Sequence, residues 1–248
     1  MAATLGFVAE KQQRLVCNAV EVRIVDSLRN TFIFSNNIRN LLQQKGINLI
    51  GKSFGEIDLH SLELLITSYA PVEKAEVYKT SDGKIVVEVV QRNPILRIID
   101  ISNQSYYIDD NGYLMKLSGN YASYVIIANG YIHAGVPVDN KINVLSLEEN
   151  AQGKRVILAE LYKLAKFILN NKFWNAQIQQ IYVDASGDFE LIPRVGSHVI
   201  VFGDCNDCEE KFSNLMSLYK NGLSVTGWNK YETINLKYKG QVICTKRE

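Results

Sequence analysis

The stretch Val86-Val-Glu-Val-Val-Gln-Arg-Asn-Pro-Ile-Leu-Arg-Ile98, followed by Tyr106-Tyr-Ile-Asp-Asp-Asn-Gly-Tyr-Leu-Met115, decides how this chain is organised. It predicts a strand, a proline break, a new strand and then an Asp-Asn-Gly turn. Proline has a fixed φ and restricts the residue before it, so Asn93-Pro94 favours a stiff junction. None of the residues in this stretch looks catalytic. We therefore expect a domain boundary near residues 91–95.

Upstream of the junction, local patterns predict one strand and two amphipathic helices. Residues Val20 to Ile24 alternate apolar and polar side chains, as a half-buried strand does. Ser35 can cap a helix over residues 36–45. Asp58 can cap a second helix, which ends before Pro71.

Two further strands, over residues 72–80 and 84–91, complete this first unit. Asp82-Gly83 lies between them and is a strong hairpin signal. The order strand, helix, helix, strand, strand lets both helices cover one face of a three-stranded sheet. We expect this domain to span residues 17–93.

Downstream of the junction, residues 94–248 predict a mostly antiparallel β domain with helices on one face. Helices are expected over residues 154–171 and 208–221, since each carries an apolar stripe. In the strand over residues 232–239, the alternation predicts that Ile234, Leu236 and Tyr238 point inward. The expected strands are 96–101, 105–109, 121–128, 177–184, 189–193, 198–202, 232–239 and 241–245. The predicted fold class is α+β.

The first sixteen residues form a separate segment. Met1 to Ala9 is apolar and Glu10 to Arg14 is charged, whereas a signal peptide places its positive charges first. The segment is either a native N-terminal strand or the outer end of a membrane helix, and we assign residues 1–16 as a juxtamembrane remnant. No apolar run approaches the roughly 20 residues that a membrane helix needs.

Composition and motifs argue against several classes of function. The net charge of +1 gives nucleic acid little electrostatic attraction. The chain has no Walker loop, GxGxxG, HExxH or GxSxG motif. The adjacent carboxylates fit turns, loops or helix starts better than a shared proton, and His198 fits a core or rim position. These carboxylate pairs are Asp109-Asp110, Glu148-Glu149 and Glu209-Glu210. We expect no enzyme activity, catalytic residue, cofactor or metal.

Cys205-Asn-Asp-Cys208 is the one cysteine motif in the chain. A zinc site would need a second pair or histidines at matching spacing, and neither is present. A thioredoxin-like pair lies between a strand and a helix, as this one does, but it is usually flanked by Trp, Pro or Gly. We favour a loop with incidental or disulfide-capable cysteines, and a redox pair is the alternative.

The C-terminal strand can leave a sheet edge open, and an open edge can accept a strand from a partner. Four basic residues lie near it: Lys237, Lys239, Lys246 and Arg247. They either protect the edge from pairing or recruit an acidic partner segment. The sequence leaves both interpretations open.

Several motifs resemble the extracytoplasmic region of the bacterial FtsQ/DivIB cell-division family, in a Bacteroidetes-like version. The first unit resembles a POTRA domain in its order of elements. Val87-Glu-Val-Val-Gln-Arg-Asn-Pro94 resembles the family's junction, with Gln91 where Glu is commoner. Three other segments resemble its opening strand, its β-domain turn and its closing strand: Val20 to Ile24, Tyr107 to Gly112, and Ile234 to Tyr238. In the second helix and the strand after it, Ile57 to Leu59, Leu62-Glu63 and Val72 to Val77 also match.

The resemblance implies a non-enzymatic scaffold that links division proteins in septum formation. Such proteins are anchored in the inner membrane by one helix, which this chain lacks, and this region would lie in the periplasm. The implied partners are FtsB/DivIC-like and FtsL-like proteins, bound through the C-terminal β edge, with other division proteins at the POTRA domain. The implied contact residues are Leu236, Lys237, Tyr238, Gly240 and Val242.

Two alternatives remain for the function. One is a POTRA-type component of protein assembly or secretion, although such proteins usually carry several POTRA units or a membrane barrel. The other is an extracytoplasmic thiol-redox protein that uses Cys205 and Cys208.

Overall fold

A computed structural model describes residues 15–25, 32–119, 121–147 and 156–248, which form two compact units. The first contains the described residues up to Asn93 together with 118–123, and the second contains 94–117 and 124–248. The sequence pattern did not predict that residues 118–123 belong to the first unit. The expected N-terminal segment before residue 15, the pair Glu148-Glu149 and residues 154–155 lie outside the described residues.

The first unit has a three-stranded sheet and two helices. In the sheet order β1-β3-β2, β1 runs parallel to β3 and β2 runs antiparallel to it. A short 3-10 turn at Phe54–Glu56 precedes the second helix. The elements are β1 Ala19–Ile24, α1 Ser35–Gln44, α2 Leu59–Thr67, β2 Val72–Lys79 and β3 Lys84–Gln91.

The starts of the two helices differ in how well they were predicted. Asp58 caps α2 as expected, since its carboxylate accepts the Ser61 backbone N–H at 3.2 Å. Ser35 does not cap α1 but is its first residue, and its hydroxyl donates to the Val22 carbonyl at 3.2 Å. The Asn37 side chain instead accepts the Phe34 N–H at 2.8 Å. Sequence signals alone could not show that the Ser35 hydroxyl has a partner on β1.

The second unit is a nine-stranded mixed sheet in the order β12-β11-β10-β9-β8-β7-β4-β5-β6. The pairs β4/β7, β7/β8 and β10/β11 are parallel, and the other five are antiparallel. The strands are β4 Pro94–Ile99, β5 Ser105–Asp109, β6 Leu114–Lys116, β7 Ile126–Gly130, β8 Ile178–Val183, β9 Phe189–Pro193, β10 Val199–Gly203, β11 Tyr231–Asn235 and β12 Ile243–Lys246.

Helices and short helical turns account for much of the rest of this unit. A 3-10 turn covers Val144–Leu147. The α-helices are α3 Ile157–Asn170, α4 Lys172–Gln177 and α5 Cys208–Leu218, which continues through a π turn at Tyr219–Leu223 into α6 Ser224–Thr226.

The core of the second unit lies between one sheet face and these helices. Alternate strand residues such as Ile98, Ile181 and Ile200 are fully buried and form one cluster with the apolar stripe of α3. Aromatic rings fill the space near α5, where Trp174 lies 5.0 Å from Phe212 between ring centroids. The α+β class is confirmed, with a POTRA-like domain followed by a β-rich domain.

The structure corrects several expected element bounds. The strand expected over 232–239 ends at Asn235, because the Asn235 side chain accepts the Lys237 N–H at 2.9 Å and starts a turn. Tyr238 therefore does not point into the core, and 57% of its surface is exposed. The strand expected over 121–128 begins only at Ile126. Strand β6 and helix α4 were not predicted, since both are short.

Candidate functional site

The two sheets have four edges. In the first unit, side chains cover part of each edge strand, β1 and β2. On β1, the Val22 carbonyl accepts the Ser35 hydroxyl at 3.2 Å. On β2, the Val77 N–H donates to the Glu63 carboxylate at 2.9 Å. These backbone groups lie on the outer side of their strands because neighbouring residues bond to β3. A partner strand at either edge would compete with these side chains.

One edge of the second unit is covered by another segment of the same chain. The Leu114 N–H on β6 donates to the Ile142 carbonyl at 3.0 Å, and the Val144 N–H donates to the Gly112 carbonyl at 2.9 Å. Residues 142–144 therefore pair along the outside of β6. This segment therefore occupies the outward backbone groups of Gly112 and Leu114 at this edge.

Strand β12 forms the fourth edge, and β11 is its one partner strand among the described residues. The Leu236 N–H donates to Val201 on β10, which shows that even-numbered residues of β11 bond to β10 and odd-numbered ones to β12. Since Asn235 pairs with Ile243 and Thr233 with Thr245, the backbones of Cys244 and Lys246 point outward. Within the part of the chain that the structure describes, no segment pairs with this outer side.

The side chains of β12 alternate between the core face and the open face of the sheet. Cys244 is opposite Ile234 and packs against the core, and its burial raises the pKa of the thiol. Ile243 faces the other way and is 45% exposed. A strand added to β12 would find apolar neighbours on both faces.

The five residues implied by the family resemblance lie in different environments. Leu236 is buried and anchors the end of β11 to β10. Val242 is partly buried and packs against the core. Gly240 adopts a left-handed conformation with φ of +67° in the turn before β12. Tyr238 is the most exposed large side chain among them.

Lys237 is held by contacts within the protein. Its ammonium donates to the Asp188 carboxylate at 2.5 Å, which raises the pKa of the lysine. Its aliphatic stem passes over Gly203, where an added Cβ would lie 3.0 Å from the Lys237 Cγ. Lys237 therefore fixes the turn over residues 236–241 against the ends of β9 and β10.

A groove of about 210 Å³ separates this turn from the loop after β10. Tyr238 and Lys239 line one wall, and Asn206, Asp207 and Glu210 line the other. We call it the C-terminal groove. Gln241, the residue next to Val242, also lines it, so the groove reaches the start of the open edge.

Asn206 and Asp207 in this second wall belong to the CxxC motif, whose Cys205 and Cys208 form a disulfide. No pattern in the sequence indicates that this motif and the terminal strand lie close together. They come together because β10 and β11 are parallel neighbours, so both strands end on the same side of the sheet. A parallel pairing over this sequence distance leaves no local signal.

Other candidate groups have structural roles. The His198 ring is buried, and its Nε2 lies 3.0 Å from the Tyr219 hydroxyl. Asp109 accepts the backbone N–H groups of Asn111 and Tyr113 and so forms the expected turn. Among the described residues, no group of three or more His, Cys, Asp or Glu side chains could hold a metal. The open edge can form backbone hydrogen bonds with an extended peptide.

Comparisons with known proteins agree with this architecture. Residues 93–245 match the family described as FtsQ/DivIB, C-terminal related, and residues 15–90 match a POTRA-like domain. No curated protein matches the chain. None of the helices in the described residues is long and apolar enough to cross a membrane. The FtsQ/DivIB family comprises non-enzymatic scaffolds of cell division, which are typically membrane-anchored with an extracytoplasmic domain. Because the match covers more than half of its length, this chain belongs to the FtsQ/DivIB C-terminal related family, with a POTRA-like domain before the family region.

Proposed function

We propose that this chain is a divisome scaffold that links division proteins in septum formation by adding a partner strand to β12. The partners are an FtsB/DivIC-like and an FtsL-like protein. The observation that carries the proposal is the outward backbone of Cys244 and Lys246, which has no pairing segment in the described residues. An added strand would satisfy these groups and extend the nine-stranded sheet.

The five expected contact residues divide into two roles in this proposal. Tyr238 contacts the partner directly, since its ring is exposed beside the edge. Val242 leads directly into β12, and Gly240 provides the turn before it. Leu236 and Lys237 position this turn through Val201 and Asp188.

The POTRA-like domain, which we place at residues 17–93, would contact other division proteins by a different mode. At each edge of its sheet, a backbone group is hydrogen-bonded to a side chain: Ser35 bonds to β1 and Glu63 bonds to β2. Strand addition there would first have to displace these side chains. The β domain, at residues 94–248, is thus the unit that we assign to strand pairing.

We also propose an inner-membrane, single-pass protein with this region in the periplasm. Membrane anchoring is typical of the family. The Cys205–Cys208 disulfide supports an oxidising compartment, where such bonds persist.

Proline at position 246 tests the strand addition. Lys246→Pro removes one outward N–H from β12 but no bond to β11, so we expect the fold to be retained. Binding to a purified complex of the FtsB/DivIC-like and FtsL-like proteins should weaken about tenfold or more, which corresponds to about 1.4 kcal/mol. Isothermal titration calorimetry gives the dissociation constant, and thermal unfolding checks the fold.

Lys246→Ala is the matched control, because it removes the same side chain and keeps the N–H. It should bind more tightly than the proline variant. Tyr238→Ala tests the exposed ring and should also weaken binding. If Lys246→Pro, Lys246→Ala and the unchanged protein all bind equally well, strand addition to β12 is wrong.

A further inference from the structure

The disulfide loop has two open sides. On one side, Asn206 and Asp207 form a wall of the C-terminal groove. On the other side lies a second groove of about 510 Å³, where Lys163 and Phe167 of α3 line the space next to both cysteines. We call this the disulfide groove. A molecule that enters it reaches the sulfur atoms without passing through the C-terminal groove.

The two sulfur atoms differ in their surroundings. Cys205 lies in the loop after β10 and is partly exposed, whereas Cys208 is the first residue of the eleven-residue helix α5 and only 9% exposed. The N-terminus of a helix stabilises negative charge. An attacking thiolate therefore reaches Cys205 more easily, and Cys208 is the better placed leaving group.

We propose that Cys205–Cys208 is a thiol–disulfide exchange site that reacts with a dithiol, and that its redox state sets the shape of the C-terminal groove. The site goes beyond the proposed scaffold function. Its effect on partner binding rests on that function.

The exchange proceeds in two steps. A thiolate of the dithiol attacks the Cys205 sulfur, forms a mixed disulfide and breaks the Cys205–Cys208 bond, which leaves Cys208 as a thiolate. The second thiol of the reductant then loses its proton and attacks the reductant's first sulfur, which is bonded to Cys205 in the mixed disulfide. This step releases Cys205 as a thiolate. The reductant ends as a disulfide, and the protein gains two electrons and two protons.

The loop is built so that reduction changes only part of it. The Lys211 ammonium donates to the carbonyls of Phe202 and Asp204, at 3.1 Å and 2.9 Å, and to the Asp204 carboxylate at 3.0 Å. The residues before Cys205 therefore stay anchored when the disulfide opens. Reduction affects the short segment between the two cysteines.

Asp207 lies in that segment and has a strained backbone. Its φ of +54° is in the left-handed region, which non-glycine residues rarely adopt. The disulfide closes a ring around this residue, since the cysteine Cα atoms are only 5.1 Å apart. When the bond is reduced, Asp207 can relax to negative φ and shift the wall that faces Tyr238.

Redox titration with peptide-resolved mass spectrometry tests the exchange site. The protein is equilibrated with mixtures of reduced and oxidised dithiothreitol, and free thiols are then blocked with an alkylating agent. We expect Cys205 and Cys208 to become labelled together in one reversible transition. A pair that stays oxidised throughout, or that cannot re-form, would overturn the proposal.

Hydrogen exchange on the same samples tests the change of shape. Reduction should increase exchange in residues 205–208 and in the facing turn 236–241, while residues 178–193 stay unchanged. The double variant Cys205→Ser with Cys208→Ser should match the reduced protein and should not respond to dithiothreitol. Equal exchange in the oxidised and reduced proteins would refute the coupling.

Calorimetry with the FtsB/DivIC-like and FtsL-like complex measures the consequence for binding. The oxidised protein should bind about threefold or more tightly than the reduced protein. If the oxidised protein does not bind, the scaffold function fails, but the titration and hydrogen exchange still decide the exchange site. If it binds equally well in both redox states, only the regulation of the edge is wrong.

Discussion

Two buried tyrosine residues differ in whether the hydroxyl has a hydrogen-bond partner. The Tyr106 hydroxyl is buried and has no hydrogen-bond partner among the described residues, whereas the Tyr219 hydroxyl lies 3.0 Å from His198. Burial raises the pKa of both phenols. Each hydroxyl therefore stays neutral at physiological pH.

We predict opposite effects when these hydroxyls are removed. Tyr106→Phe should leave the free energy of unfolding unchanged or raise it by up to about 1 kcal/mol, because an unpaired buried polar group is lost. Tyr219→Phe should lower it by about 1–2 kcal/mol, because His198 loses its partner. Denaturant titrations of both variants measure the difference. A loss of the same size for Tyr106→Phe would contradict the prediction.

His198 should make the stability depend on pH. Burial lowers the pKa of His198 below its usual value of 6.5; the Trp228 carbonyl opposes this shift and the Arg247 charge adds to it. The unfolded chain then binds a proton at a higher pH than the folded protein does. Stability should consequently fall as the pH drops below about 6.5, until the folded-state pKa is passed.

Unfolding free energies from about pH 7.5 to pH 5 test this prediction. His198→Gln removes the titrating ring and can still bond to the Tyr219 hydroxyl. Its stability should vary less over this interval than that of the unchanged protein. Identical pH profiles for the two proteins would rule out His198 as the cause.

At the scale of elements, the close approach of β7 and β8 depends on one glycine. Gly130 has φ of +102°, and a Cβ there would lie 2.2 Å from the Val183 carbonyl oxygen. Gly187, in the turn before β9, has a similar φ of +87° but no atom within 4 Å of its Cβ position. A comparison of alanine substitutions at Gly130 and Gly187 therefore distinguishes the free-energy cost of a left-handed backbone from that of a steric clash.

We predict that Gly130→Ala lowers the free energy of unfolding by about 3 kcal/mol or more, because the strands must move apart. Gly187→Ala should lower it by about 1 kcal/mol, the cost of the backbone conformation alone. Chemical denaturation gives both values. Similar losses would show that the clash at Gly130 is relieved elsewhere.

The elements that the sequence predicts well are those with complete local signals. The β2–β3 hairpin was predicted from Asp82-Gly83, and α2 from its Asp58 cap. The predicted end of β11 was wrong, because the apolar-polar alternation continues through Tyr238 whereas the Asn235 side chain ends the strand. Helix α4 was not predicted, because it is short and the helix expected over residues 154–171 already includes its cap, Asn171.

The candidate site was only partly predictable for a related reason. The terminal strand and its basic residues are visible in the sequence, and so is the CxxC motif. Their meeting depends on the parallel pairing of β10 with β11, and the covering of β6 depends on residues 142–144. Both are contacts between distant parts of the chain, which periodicity does not encode.

At the scale of the whole molecule, residues 118–123 belong to the first unit although they follow β6 in sequence. Tyr121 carries this assignment, since its ring lies 4.8 Å from the buried Phe32 in an edge-to-face arrangement. A boundary drawn only at Asn93-Pro94 would leave Phe32 without this contact. The junction proline alone therefore does not define the first unit.

We predict that Tyr121→Ala lowers the stability of the first unit by about 0.5–1.5 kcal/mol, the range for an aromatic pair. Faster hydrogen exchange in peptides from residues 32–91 would report the loss. Tyr124→Ala is the control, because Tyr124 is 83% exposed and belongs to the second unit. Unchanged exchange after Tyr121→Ala would indicate that residues 15–93 are stable without this segment.

The open edge of β12 also raises a problem of discrimination, since a second copy of this chain offers the same backbone groups as a foreign strand. Self-pairing would bring the exposed Lys246 side chains of both copies close to one seam, where their like charges repel. A strand rich in Asp or Glu would meet attraction in the same place. The same side chains therefore both oppose self-pairing and attract an acidic partner. Added salt screens both interactions, so it should reduce the preference of the edge for the partner strand over a second copy.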